Sequence, residues 1–170
     1  RSRSRWNLIA QQVMVGRVNF APTLPGGGII NLDQWDGYTA ARRSLMKQLA
    51  QLAPNPVVLS GDIHSSWVHD LVAEGSNASG TSERVVATEL VGTSITSSFP
   101  LEAIVRDAVA SQPTIKYFEG TKHGYVRAEV DDKRLRADFR YVSGIDEPTP
   151  TVETGASFVV ESGRPGAHPA

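Results

Sequence analysis

The sequence has 170 residues, enough to bury the core of one domain, and its 40% apolar and 21% charged residues are ordinary for a globular protein. A net charge of −1, with acidic and basic residues interspersed, argues against a nucleic-acid-binding surface. Cysteine is absent, which excludes disulfides and thiolate metal ligands from this sequence, and no apolar run reaches the ~20 residues that span a bilayer. Arg1 to Arg5 contain no methionine, so we expect a truncated or processed start.

The first predicted elements are a strand, a long loop and a helix. Residues 6–15 are mostly apolar and predict a strand, whereas prolines and three successive glycines predict a loop over residues 16–34. A loop of this length is either functional or a flexible surface connection. Residues 39–53 predict an amphipathic helix ended by Pro54, with Arg42 and Arg43 on its solvated face. The apolar face of this helix carries Leu45, Met46, Leu49 and Leu52.

A buried strand over residues 56–59 then ends in the turn Gly61-Asp62-Ile63-His64. The order strand, loop, helix, strand is typical of an α/β layered domain, in which polar groups at strand ends often hold ligands. If the turn is extended, Asp62 and His64 face the same side and can meet at one ion, such as Zn, Fe or Mn. The alternative is that Asp62 caps a turn and His64 is a half-buried, hydrogen-bonded histidine. The spacing alone leaves both interpretations open.

Other polar residues have an ordinary and a functional interpretation. Asp36, just before the predicted helix, is either its N-cap or a carboxylate directed at the same site as Asp62. The hydroxyl-rich residues 93–98 are either a polar connector or a phosphate cradle. His123 either begins a strand or adds a third polar group to the site. Local sequence favours the ordinary interpretation of all three.

The remaining chain predicts a mixed second half. Short strands are expected over residues 67–73 and 85–92, and a second helix from Pro100 to before Pro113. Alternation of apolar and charged residues predicts an antiparallel hairpin with one wet face, turning at residues 131–133. A last short strand covers residues 158–160. We expect one domain over residues 1–162 and a flexible tail over residues 163–170.

Five strings of residues, in this order, resemble the PhoD-like alkaline phosphatases. They are residues 35–38 (Trp-Asp-Gly-Tyr), 61–67 (Gly-Asp-Ile-His-Ser-Ser-Trp), 89–97 (Glu-Leu-Val-Gly-Thr-Ser-Ile-Thr-Ser), 123–126 (His-Gly-Tyr-Val) and 157–166 (Ser-Phe-Val-Val-Glu-Ser-Gly-Arg-Pro-Gly). The resemblance covers residues from about 6 to near 170. The first two strings are the most specific to the family.

The resemblance implies a fold, a chemistry and a location. The expected fold is α/β (α+β layered), the C-terminal half of a metallophosphatase-type β-sandwich flanked by helices. Family members hydrolyse phosphate mono- or diesters with calcium and iron, other divalent metals being possible, and are typically extracellular or periplasmic. On the matching positions, Asp62 and His64 are expected metal ligands, and Asp36 a ligand or phosphate-site residue. The expected partners are small-molecule phosphate esters, with no nucleic-acid-specific binding.

The family's early motifs, with a cysteine and further aspartate, asparagine and tyrosine ligands, precede anything in this sequence. We therefore expect part of a catalytic domain that is inactive alone, because an Asp–His pair plus Asp36 gives too few ligands for a tight site. Two alternatives stay open. One is a non-catalytic ligand-binding module on the same scaffold, and the other is a non-functional truncation product that aggregates through unpaired strand edges.

Overall fold

The computed structural model describes residues 3–19, 31–73 and 84–170. These residues form two sheets, two α-helices and a short 3-10 helix. The strands are β1 (Asn7–Val13), β2 (Pro56–Gly61), β3 (Ser66–Val72), β4 (Val85–Val91), β5 (Ile115–Glu119), β6 (Gly124–Val130), β7 (Arg134–Val142), β8 (Val152–Glu161) and β9 (Arg164–Pro169). The helices are the 3-10 helix Trp35–Tyr38, α1 (Thr39–Leu52) and α2 (Glu102–Val109).

The first sheet has the strand order β1-β2-β4-β3-β5. β1 and β4 pair with β2 in parallel, whereas β3 is antiparallel to both of its neighbours. Parallel strands end at the same edge of a sheet. The residues that follow Val13, Gly61 and Val91 therefore lie along one edge, and this edge carries the predicted site.

The second sheet, in the order β6-β7-β8-β9, is antiparallel throughout and packs on one face of the first. Alternate residues of β7, among them Leu135 and Phe139, meet Val57 and Leu90 of the first sheet in one apolar core. Met46 of α1 belongs to a second cluster on the opposite face. The result is a β-sandwich with helices outside it, and this confirms the predicted layered α+β fold.

Most predicted elements are confirmed, including β1, α1, α2 and the β6–β7 hairpin. The predicted flexible tail is wrong, because residues of it form β9, which pairs with β8. Asp70 also fixes this strand, since its Oδ1 accepts the Ala167 N–H at 2.9 Å. β8 is longer than the expected residues 158–160, and β5 was not predicted.

Two further sequence-based expectations concern the connections and the membrane. Of the predicted loop over residues 16–34, residues 20–30 lie outside the described part of the chain. Within the described residues, no helix combines the length and the apolar character needed to cross a membrane.

Phe139 offers a test of the core between the two sheets. It is fully buried, and its ring packs at a tilted angle against Tyr117 and edge-to-face against Phe158. Phe139→Ala should lower the free energy of unfolding by about 3–5 kcal/mol, because the cavity it leaves cannot collapse fully. The control is Tyr125→Ala on the exposed hairpin, expected within about 1 kcal/mol of wild type in the same urea titration. Equal losses in the two variants would contradict this packing.

Candidate functional site

The turn after β2 places Asp62 and His64 in exposed, left-handed backbone conformations, with φ of 69° and 60°. Residues with a Cβ rarely adopt this region, and each such residue costs of order 1 kcal/mol or more. The expectation that both side chains face one side of an extended strand is therefore wrong. They project instead from a tight turn whose conformation the surrounding contacts must maintain.

Gln34 binds Asp62 by a side-chain hydrogen bond. This glutamine is 3% exposed, and its Nε2 donates to Asp62 Oδ2 at 2.9 Å. Its Oε1 accepts the Met14 N–H at 2.5 Å, which fixes the orientation of the amide. Asp62 is thus tied through Gln34 to the residue that follows β1. Gln34 was not predicted from the sequence, where its position just before Trp35 was the only signal.

Asp36 lies in the 3-10 helix and accepts a hydrogen bond on Oδ1 from Arg17 Nε at 2.6 Å. It does not cap α1, whose N-cap is Tyr38 without a side-chain hydrogen bond, so the N-cap interpretation is wrong. Residue 37 beside it must be a glycine, because the Cβ of any other residue would lie 2.4 Å from the Leu32 carbonyl oxygen and clash with it. The Trp-Asp-Gly-Tyr string therefore places the Asp36 carboxylate against Arg17.

Residues 14–17, which we call the β1 exit segment, connect these contacts. Met14 donates to Gln34 and its carbonyl accepts the Trp35 N–H at 3.3 Å. Arg17, at the other end of the segment, binds Asp36. The positions of both candidate carboxylates therefore depend on where this segment lies.

A buried carboxylate accepts hydrogen bonds from the backbone of the β1 exit segment. Glu89 of β4 is fully buried, and its Oε1 accepts the Val15 N–H at 2.8 Å and the Ser60 hydroxyl at 2.6 Å. Its Oε2 accepts the Gly16 N–H at 2.6 Å. Burial raises the pKa of Glu89, while the three donors and the charge of Arg42 act in the opposite direction. Glu89 thus joins the ends of β1, β2 and β4.

Arg42 and His69 complete this buried cluster. Arg42 is 3% exposed and its Nε donates to the Val15 carbonyl at 2.8 Å, so its predicted place on a solvated face is wrong. Arg43 is exposed as expected. Burial and the charge of Arg42 lower the pKa of His69 to about 3, which keeps the ring neutral. The ring packs so closely on Gly16 that a Cβ there would lie 2.5 Å from it.

The remaining candidates lie around the same edge. The Thr93 hydroxyl is 3.2 Å from the His64 carbonyl oxygen and 3.0 Å from that of Lys122, so it supports the turn through the backbone. Ser94 Oγ lies 3.4 Å from His123 Nδ1. The structure thus brings His123 beside residues 93–98, whose favoured interpretation as a polar connector stays a prediction.

An open cavity of about 510 Å³ adjoins the turn. Asp36 and Gln34 lie in its wall, as does Ile63 between the two candidate ligands. Apolar side chains, including Trp67 and Phe99, form most of the remaining wall. An organic group bound beside Asp36 would therefore meet an apolar surface.

The described residues 3–19, 31–73 and 84–170 contain no group of three His, Asp or Glu side chains arranged to hold a metal ion. Asp36, Asp62 and His64 are therefore not gathered into one ligand set within these ranges. Their chemistry nevertheless fits a metal, because carboxylate oxygens with an imidazole nitrogen suit hard or borderline ions. Their assignment as metal ligands remains a prediction.

Comparison with known proteins identifies the family. Residues 1–139 match the family described as PhoD-like phosphatase. The chain belongs to this family. Over 169 residues it is 33% identical to alkaline phosphatase D of Bacillus subtilis (strain 168), covering 97% of this chain and 28% of that protein. A solved structure titled "Structure of PhoD" superposes with a TM-score of 0.79 at 29% identity, covering 98% of this chain and 32% of that one.

The family match confirms the resemblance found in the sequence, and the superposition confirms the fold that it implied. The chain spans less than a third of the length of either relative. The candidate site is accordingly one edge of a β-sandwich from a PhoD-like phosphatase.

The neutral, buried His69 makes stability depend on pH. Its pKa is about 3 in the fold against an ordinary 6.5, so between these values the unfolded chain binds a proton that the folded chain does not. The free energy of unfolding should therefore fall with decreasing pH, by up to ~1.4 kcal/mol per pH unit from this group. His69→Gln removes that contribution, and Glu89, present in both proteins, cancels in the comparison.

The measurement is urea unfolding of wild type and His69→Gln at several pH values from about 3.5 to 6. We expect a shallower slope of unfolding free energy against pH in the variant. Parallel slopes would show that His69 titrates alike in the folded and unfolded chain.

Proposed function

We propose that this chain is part of a metal-dependent hydrolase that cleaves phosphate mono- or diesters with activated water. The observation that supports the proposal most strongly is the family match over residues 1–139, which includes the Asp36 and Asp62–His64 strings. The geometry adds that both carboxylates reach one edge of the sheet, where β1, β2 and β4 end. This edge is the usual place for ligands in a sheet of parallel strands.

In this proposal Asp62 and His64 hold metal, and Asp36 holds metal or contacts the phosphate. The ions are calcium and iron by resemblance to the family, other divalent metals being possible, and further ligands come from outside the described residues. When bound, such ions polarise phosphoryl oxygens and lower the pKa of water. Gln34 orients Asp62 by donating from Nε2 to Oδ2, and in this proposal Oδ1 binds the ion.

The substrate is a small-molecule phosphate ester rather than a nucleic acid, consistent with a net charge of −1. Its organic part fits the apolar cavity beside Asp36. Arg17 is half-exposed and pairs with Asp36, so in this proposal its cation attracts the phosphate of the substrate. We propose an extracellular or periplasmic location, by resemblance to the family.

A hydrolysis assay tests the proposal on the full-length protein that carries this chain. Wild type should hydrolyse an aryl phosphate ester in the presence of calcium and iron, and His64→Ala or Asp62→Asn should lower kcat/KM at least ~100-fold. The control is His168→Ala on β9, whose side chain is 55% exposed; its kcat/KM should stay within about twofold of wild type. Full activity in both turn variants would contradict the metal-ligand assignment.

The same assay on the 170 residues alone tests whether this part is sufficient. We expect little or no turnover, because three candidate ligands are too few for a tight catalytic site. Robust hydrolysis that His64→Ala abolishes would overturn this expectation. A non-catalytic binding module would instead keep ligand binding in Asp62→Asn and contain no metal by elemental analysis.

A further inference from the structure

We propose that Glu89 is a positioning residue for the phosphate site, acting through the β1 exit segment on Asp36 and Asp62. This role rests on the proposed hydrolase function. Glu89 is fully buried, and among the described residues its carboxylate accepts hydrogen bonds from Val15, Gly16 and Ser60 rather than from the candidate ligands. Its effect on the site is therefore indirect.

The contacts form two short paths from Glu89 to the candidate carboxylates. In the first, Glu89 fixes the Val15 N–H, and the adjacent Met14 N–H fixes Gln34, which holds Asp62. In the second, Glu89 fixes the Gly16 N–H, and the adjacent Arg17 holds Asp36. Each path joins hydrogen bonds through one peptide link of the β1 exit segment and one side chain, that of Gln34 in the first path and that of Arg17 in the second.

A third contact acts on the turn from the other side. The Ser60 hydroxyl donates to Glu89 at 2.6 Å, and Ser60 is separated from Asp62 only by Gly61. Because Asp62 and His64 both have positive φ, their conformation depends on neighbouring contacts of this kind. Glu89 therefore fixes both the start of the turn and the segment that contacts its carboxylate.

The chemistry of the contacts requires a carboxylate at this position. Both oxygens of Glu89 accept from N–H or O–H groups, and Arg42 lies near enough to stabilise the negative charge. In Glu89→Gln an NH₂ group replaces one oxygen and faces a donor, so at least one backbone N–H loses its acceptor. Arg42 also loses its buried counter-charge. The β1 exit segment is then free to shift.

Asp138 provides a matched control for the loss of a buried carboxylate. It lies on β7 in the second sheet, its side chain is 5% exposed, and it accepts from Arg127, Arg136 and Ser157. These three hydrogen bonds all lie within the second sheet, on strands β6, β7 and β8. Asp138→Asn should lower the unfolding temperature as Glu89→Gln does. Because its hydrogen bonds do not lead to Asp36 or Asp62, it should not change the site.

The experiment measures kcat, KM and calcium affinity for full-length wild type, Glu89→Gln and Asp138→Asn, at a temperature where all three are folded. We expect Glu89→Gln to lower kcat and calcium affinity each by about 10–100-fold, with KM changed less than about threefold. Asp138→Asn should leave all three values within about twofold of wild type. Calcium affinity is measured by calorimetric titration with the metal alone.

Ser60→Ala is the milder second variant, in case Glu89→Gln does not fold. It removes one of the three donors and should lower kcat in the same direction by a smaller factor. The positioning role would be overturned if both Glu89→Gln and Ser60→Ala kept the kcat and calcium affinity of wild type. If Glu89→Gln is unfolded, the same result in Ser60→Ala alone would overturn it. In either case the hydrolase proposal would stay intact. A wild-type protein without hydrolysis would overturn both proposals.

Discussion

The candidate site depends on one interaction, the acceptance of two backbone N–H groups and a hydroxyl by the buried carboxylate of Glu89. Burying a carboxylate costs several kcal/mol, which charge-assisted hydrogen bonds and the nearby Arg42 offset. The donors lie at the ends of β1 and β2, whereas Glu89 lies on β4. The hydrogen bonds therefore offset the desolvation of Glu89 only when β1, β2 and β4 are in register. The same interaction thus links correct pairing of the sheet to correct placement of the turn.

The two sheets have different functions in this arrangement. The parallel strands of the first sheet bring Met14, Asp62 and Gly92 to one edge, although they are distant in sequence. The antiparallel second sheet contributes Phe139 and Phe158 to the aromatic core. This core buries the face of the first sheet that lies away from α1. A rigid two-layer core behind a strained turn suits a site whose ligands must be held in place.

Periodicity predicted the elements whose partners lie close in sequence. α1 follows from its apolar spacing, and the β6–β7 hairpin from its alternation. β9 was missed because the sequence Arg-Pro-Gly-Ala-His-Pro is typical of coil, yet an edge strand tolerates proline. The burial of Arg42 was missed because its acceptor, the Val15 carbonyl, comes from another element. The motif strings located Asp36, Asp62 and His64, but the left-handed turn and Gln34 depend on tertiary contacts.

We propose that the turn after β2 holds metal in a phosphate-hydrolysing site. Anomalous diffraction from crystals of the full-length protein, grown with calcium and iron, shows directly whether it does. We expect a metal peak within about 2.0–2.6 Å of an Asp62 oxygen or the His64 imidazole. Metal peaks that contact neither residue would contradict it.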